Sequence, residues 1–267
     1  MSADGPLSTA GGRHNPFQPG QTLIFIGDHT SPDDPGYVAI AGSVLGRFHP
    51  ELQLHLISAG SRGQTAGGLR SRALLDILSS SKPEWLVIGV GLPDAMREPV
   101  AADLLRTYRA QAARQDEVEA MFGPEHTPHI HDLEPVSDAG PPPALPLQFL
   151  DGFRDDLEEA VRELQAAGVR CILMTIVPVA NDTGNPVNGV VRNYSKAIRS
   201  VATELNCPLV DGERAFRDVL DRAATYKQKV ALTAQNGELN AQGQTLLART
   251  FLDAFGLLPP PGWRPLR

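Results

Sequence analysis

Cysteine is scarce in this chain: Cys171 and Cys207 are the only two among 267 residues. That excludes a disulfide-stapled scaffold and a cysteine-rich zinc site, and leaves each thiol as a small buried group. Basic charge is also in deficit, with 24 Lys and Arg against 31 Asp and Glu and a formal net charge of -7 at pH 7. A nucleic-acid or anionic-membrane surface needs a basic face, so neither partner is expected. No run approaches the ~18 consecutive apolar residues of a membrane helix. The first residues, MSADGPLSTAGGRHNPFQPG, lack the charged and apolar regions of a secretory signal and read as a Gly/Pro-rich flexible tail. A soluble, cytoplasmic protein is expected.

What is present is enough for one sizeable core, since 42% of the residues are hydrophobic. Short apolar runs alternate with longer amphipathic ones. The predicted strands are Thr22–Gly27, Leu52–Ile57, Trp85–Val90, Val169–Ile176 and Pro208–Val210. Helical spacing appears at Tyr37–Phe48, Ala66–Leu78, Pro99–Met121, Phe149–Ala167, Val190–Leu205 and Asn240–Phe255. Strands that are apolar on both faces, alternating with helices, imply an α/β fold: a three-layer α/β/α sandwich around a mostly parallel five-stranded sheet.

Two segments depart from the alternation. Gly123–Pro146 contains seven prolines, which rules out a continuous helix or an interior strand and suggests an inserted loop. The last residues, PPPGWRPLR, read as an extended tail with Trp263. The expected organisation is a tail over 1–20, one domain over 21–256 with an insertion about 123–146, and a tail over 257–267.

In an open parallel sheet, ligands bind beyond the carboxyl ends of the strands. Gly27-Asp28-His29 follows the first strand, Gly60 the second and Gly91-Leu92-Pro93-Asp94 the third, while LTAQNGELNAQGQ precedes the last helix. In order and spacing these four blocks resemble the SGNH (GDSL-like) hydrolases over about residues 22–255. The resemblance implies the SGNH-hydrolase, flavodoxin-like form of the sandwich and a pocket for an ester-like small molecule. It calls for no cofactor and no metal.

The same resemblance marks what has been replaced. The family's nucleophilic serine position holds His29, its oxyanion asparagine Pro93, its catalytic histidine Glu238 and the orienting aspartate Gln235. Gly60, Asp28 and Asp94 remain, and Leu239, Asn240 and Gly243 set the register of the last block. Acyl transfer needs a nucleophile, a base within reach and donors aimed at the oxyanion. Thr30 and Ser31 are neighbours of His29, but a shift of one or two residues on a tight turn re-aims a nucleophile that must approach to ~3–3.5 Å.

Two functions remain open from sequence. One is a catalytically degenerate pseudo-esterase that keeps a ligand pocket, with Gly60, Pro93 and Gln235 lining it and His29 paired to Glu238. The other is an active hydrolase of small acyl or carbohydrate esters, its site rebuilt from Asp28, His29, Asp94 and Glu238 acting by general acid–base chemistry. A protein partner or self-association is undetermined. Several lesser signals have plain explanations. His126, His129 and His131 sit in the proline-rich loop without ligands of defined geometry. Ser58–Thr65 is glycine-rich but lacks the phosphate-loop pattern, and Asp151–Glu163 is a charged, solvated helix face.

Overall fold

The computed structural model describes residues 15–27, 36–70, 79–81, 83–104, 106–107, 110, 146–182, 184–234 and 238–260. Its sheet has five parallel strands: β1 (Thr22–Gly27), β2 (His55–Ser58), β3 (Trp85–Gly89), β4 (Arg170–Met174) and β5 (Leu209–Val210), in the order β2-β1-β3-β4-β5. The helices are α1 (Gly36–Phe48), α2 (Leu92–Met96), α3 (Leu150–Ala166), α4 (Pro186–Glu204), α5 (Gly212–Thr225) and α6 (Ala241–Ala254). Residues 99–104 are also helical. The expected α/β fold is the one observed. Among the described residues no helix is long and apolar enough to cross a membrane.

Successive strand side chains point to opposite faces, and this divides the core in two. Leu23, Phe25, Trp85, Val87, Ile172 and Met174 pack with residues of α1, α5 and α6. Ile24, Ile26, Leu86, Ile88, Cys171 and Leu173 pack with residues of α3 and α4. Covering both faces is what made the strands read as continuous apolar runs.

Several boundaries differ from the sequence reading, each for a local reason. Leu52 belongs to a 3₁₀ turn, Pro50–Leu52, and Gln53 beyond it takes a left-handed φ of 46°, so β2 starts only at His55. The segment at Gly67–Arg70 is a 3₁₀ turn; the rest of the helix expected over Ala66–Leu78 falls largely outside the described residues. Helix α4 begins at Pro186, four residues before the predicted start at Val190. Asn185 caps it by accepting from the Val187 N–H, and proline suits the first turn because its missing N–H has no partner to lose there. Two helices, α2 and α5, were not foreseen. In α5 the apolar Phe216, Leu220 and Ala223 recur at helical spacing, but charges between them hide the pattern.

The packed unit also extends beyond both expected limits. Phe17, assigned to the N-terminal tail, is 5% exposed and meets Trp85 edge-on at 5.4 Å and Phe255 at 4.9 Å between ring centroids. Leu257, assigned to the C-terminal tail, is 3% exposed in the same core. Aromatic and leucine side chains flanked by Gly and Pro look like tails in sequence, yet burial of their apolar area outweighs the cost of ordering them. The proline-rich insertion lies outside the described residues, apart from its final Pro146.

Gly27 and Gly89 are register partners at the carboxyl ends of β1 and β3. A Cβ on Gly27 would lie 2.4 Å from the Gly89 carbonyl oxygen, so the strands approach here only because a side chain is absent. Gly27→Ala is expected to destabilise the protein by about 1–3 kcal/mol through overpacking against backbone, read from the midpoint of urea unfolding.

Candidate functional site

The strand order reverses direction between β1 and β3, so the crevice at their carboxyl ends is where ligands bind in a sheet of this kind. Asp28 and His29 follow β1 directly, and Gln235 lies on the segment before α6; all three are outside the described residues. The other expected site residues, Gly60, Pro93, Asp94 and Glu238, are described.

The segment after β3 is shaped by Gly91, whose φ of 120° allows the chain to turn into α2. A Cβ there would come within 2.9 Å of Ile176 Cδ1. Pro93 stands in the first turn of α2. Its nitrogen carries no hydrogen, so it offers no donor to the crevice. Asp94 also faces the loop after β2, where its Oδ2 accepts the Ala66 N–H at 3.2 Å. Gly60 is buried in that loop, while Gly63, three residues on, is exposed and left-handed, with φ at 79°.

The opposite wall is the segment before α6. Thr233 bridges Leu239, the Ala234 N–H donates to the Glu238 carbonyl at 2.7 Å, and Asn240 caps α6 by accepting from Gln242 and Gly243. A Cβ on Gly243 would sit 2.1 Å from the Leu232 carbonyl oxygen, so α6 packs against that strand-like segment only through a glycine. These roles explain why Leu239, Asn240 and Gly243 carry the register of the block.

Glu238 is half-exposed, and its Oε1 lies 2.5 Å from Arg62 Nη1. The sequence reading paired Glu238 with His29 and did not consider Arg62, because Arg62 reaches the crevice from the loop after β2. The geometry thus joins Asp94 to that loop through Ala66, and Glu238 to the same loop through Arg62.

Two asparagines were also missed. Asn181 Oδ1 accepts the N–H groups of Leu232 at 2.7 Å and Thr233 at 2.9 Å, while its Nδ2 donates to the Thr233 carbonyl at 2.9 Å. Asn188 accepts from the Val179 N–H and donates to the carbonyls of Ala180 and Asp182. Together they fix the loop after β4 and fasten the Glu238 segment to it. The available signal was asparagine at 181, 185 and 188 between a predicted strand and a predicted helix, where side-chain amides satisfy backbone groups that neither element pairs.

Neither cysteine is activated. Burial pushes the Cys171 thiol up to about 12, with the nearby Cys207 adding to it, and burial pushes Cys207 up to about 11. Both therefore stay protonated and inert as nucleophiles. Among the described residues no three His, Cys, Asp or Glu side chains cluster as metal ligands. His126, His129 and His131 are outside the described residues.

The fold and the position of the crevice define a doubly wound α/β/α sandwich with a ligand crevice at the carboxyl ends of its strands. Residues 25–246 match the GDSL-like lipase/acylhydrolase family, and the chain belongs to that family. Its sequence is 24% identical over 251 residues to an acetylxylan esterase from Geobacillus stearothermophilus, covering 89% of this chain and 94% of the relative. The crystal structure of Axe2, an acetylxylan esterase from the same organism, is similar at a TM-score of 0.61 and 23% identity, over 90% of this chain and 96% of that one. An α/β hydrolase from the metagenome of Lake Arreo, Spain, is similar at a TM-score of 0.62 and 22% identity, over 91% and 99% of the two chains.

Proposed function

We propose that this chain uses the GDSL-like hydrolase fold to bind a small acyl ester or acylated carbohydrate without hydrolysing it. The observation that carries this reading is the ion pair between Glu238 and Arg62 at the family's base position. The contact turns Oε1 toward the cation of the loop after β2, so that oxygen is already engaged by a guanidinium instead of a water or a substrate hydroxyl. The sequence supports the same reading: His29 occupies the nucleophile position, Gln235 replaces the orienting aspartate, and Pro93 cannot donate to an oxyanion. Losing one oxyanion donor alone typically costs ~100–1000-fold in rate. Acetylated xylan is the substrate named for the relative, so the acylated-sugar class is the first ligand to test.

The competing reading is a rebuilt hydrolase in which Asp28, His29, Asp94 and Glu238 activate water. Both are tested by measuring turnover of 4-nitrophenyl acetate and acetylated xylo-oligosaccharides by the wild type, His29→Ala and Glu238→Ala. Background rates in all three, with a thermal shift on adding the oligosaccharide, are the expected result. Wild-type turnover that disappears in both variants overturns the binding role and establishes the rebuilt site.

A further inference from the structure

A second concavity lies at the other end of the sheet, about 270 Å³ in volume, and bordered by Trp85, Val169, Arg170, Cys171, Asn206 and Pro208. Trp85 opens β3, Arg170 opens β4, and Pro208 immediately precedes β5. The strands are parallel, so this cleft is at their amino ends, a sheet's length from the crevice described above, and its occupancy is independent of the proposed function.

The chemistry of the cleft is asymmetric. Arg170 is the only charged residue on its lining, which is completed by Gln165 and Gly168. Its guanidinium stacks 4.2 Å from the Trp85 ring, yet among the described residues no carboxylate pairs with it. The indole beneath is fixed: its Nε1 donates to Gln21 Oε1 at 3.0 Å, and Phe17 meets the ring edge-on. A guanidinium seated over a ring keeps N–H groups available to an acceptor, and its fork of donors suits a carboxylate.

The surrounding groups agree. The carbonyls of Gln165 and Leu164 accept from the N–H groups of Gly168 and Val169, and the Leu205 carbonyl accepts from Gln165 Nε2. Asn206, held at a left-handed φ of 53°, contributes a side-chain amide that makes no hydrogen bond among the described residues. Val169, Cys171 and Pro208 supply apolar surface, and the Cys171 thiol stays uncharged. Drug-sized ligands occupy ~300–1,000 Å³, so the occupant here is smaller.

We infer that this cleft is a binding site for a short-chain aliphatic carboxylate, its head group on Arg170 and Asn206 and its tail against Val169, Cys171 and Pro208. Trp85 is the natural reporter. In the full chain carrying Trp263→Phe, it is the only tryptophan left of the two. Sodium butyrate titrated at constant ionic strength is expected to change Trp85 emission saturably, with Kd on the order of millimolar.

Arg170→Met, which keeps apolar cover over the indole, should abolish the saturable change. Arg170→Lys should weaken it about tenfold through loss of the planar fork. Asn206→Asp, compatible with the same backbone conformation, should also abolish it by placing a negative charge beside the ligand. An equal response to chloride, to phosphate, or to butyrate in Arg170→Met overturns the assignment, as does the absence of any saturable response.

Discussion

Glu98→Ala is expected to lower the unfolding free energy by about 3–5 kcal/mol, a loss reserved for the removal of a buried polar hub. Glu98 is wholly buried just beyond α2. One oxygen accepts the Tyr194 hydroxyl at 2.7 Å and the Phe149 N–H at 2.9 Å, and the other accepts the Gln148 N–H at 2.7 Å. The reason for this arrangement lies at the start of α3. Phe149 is its N-cap and has no side-chain acceptor, so the carboxylate arrives from another part of the chain and also places negative charge at a helix N-terminus.

Alanine would leave the buried Tyr194 hydroxyl and two part-buried N–H groups without their acceptor and open a void among α2, α3 and α4. Glu98→Gln keeps the volume but turns one oxygen into a donor group, so it should cost less, about 1–2 kcal/mol. Tyr194→Phe removes one donor and keeps the ring against Phe153, 4.9 Å away between centroids; it too should fall near 1–2 kcal/mol. Burial, reinforced by Glu98, raises the Tyr194 pKa far above the usual phenol range, so the hydroxyl stays a donor at all working pH values. Urea unfolding of the three variants checks the ranking; equal, small losses would sink it.

Arg199→Met is expected to cost about 3 kcal/mol, because it strips the cation from two carboxylates just beyond β5, at the start of α5. Arg199 binds Asp211 through both Nε at 2.9 Å and Nη2 at 2.7 Å, and Nη2 also reaches Glu213 Oε2 at 2.6 Å. Glu213 is 2% exposed and retains only Arg217 once Arg199 is gone. Thr175 links the strands by donating to Asp211 and accepting from the Glu213 N–H.

The pH dependence has a definite sign. Burial raises the Asp211 pKa, but the hydrogen bonds and charge of Arg199 outweigh it and hold the carboxyl below its ordinary value. Its stabilising contribution is therefore complete above the unfolded-state pKa of ~3.9 and is lost as pH falls through the lower folded value. In Arg199→Met burial dominates instead, which raises the folded pKa and favours the neutral form. The variant's deficit relative to wild type should shrink as pH is lowered from 7 toward 4. A deficit that stays constant over that range would mean the loss is packing and not charge.

The parallel α/β fold was legible because strands covered on both faces are apolar throughout, as TLIFIG and WLVIG are. Helix α5 was not, since GERAFRDVLDRAAT places its apolar stripe among charges and only contact with the sheet shows which side is inside. Phe17 was misread for the same reason. Its neighbours are turn-forming, and only the ring cluster with Trp85, Phe251 and Phe255 makes its burial favourable.

Sequence by itself determined the family blocks and their register, because Gly27, Gly91, Asn240 and Gly243 are legible as residue types; Gly91 answers a local φ of 120° and Asn240 a helix cap, while Gly27 and Gly243 answer the close approach of another backbone. Which functional groups the blocks carry is likewise a property of the residues: His29, Pro93, Gln235 and Glu238 supply an imidazole, a ring without an N–H, an amide and a carboxylate. Tertiary structure alone decided the partners: Arg62 for Glu238, Glu98 for α3, Asn181 for the segment before α6, and Trp85 for Arg170. Each pair joins positions far apart in the chain. Whether two such groups meet depends on how helices and strands stack, which no local pattern of residues records.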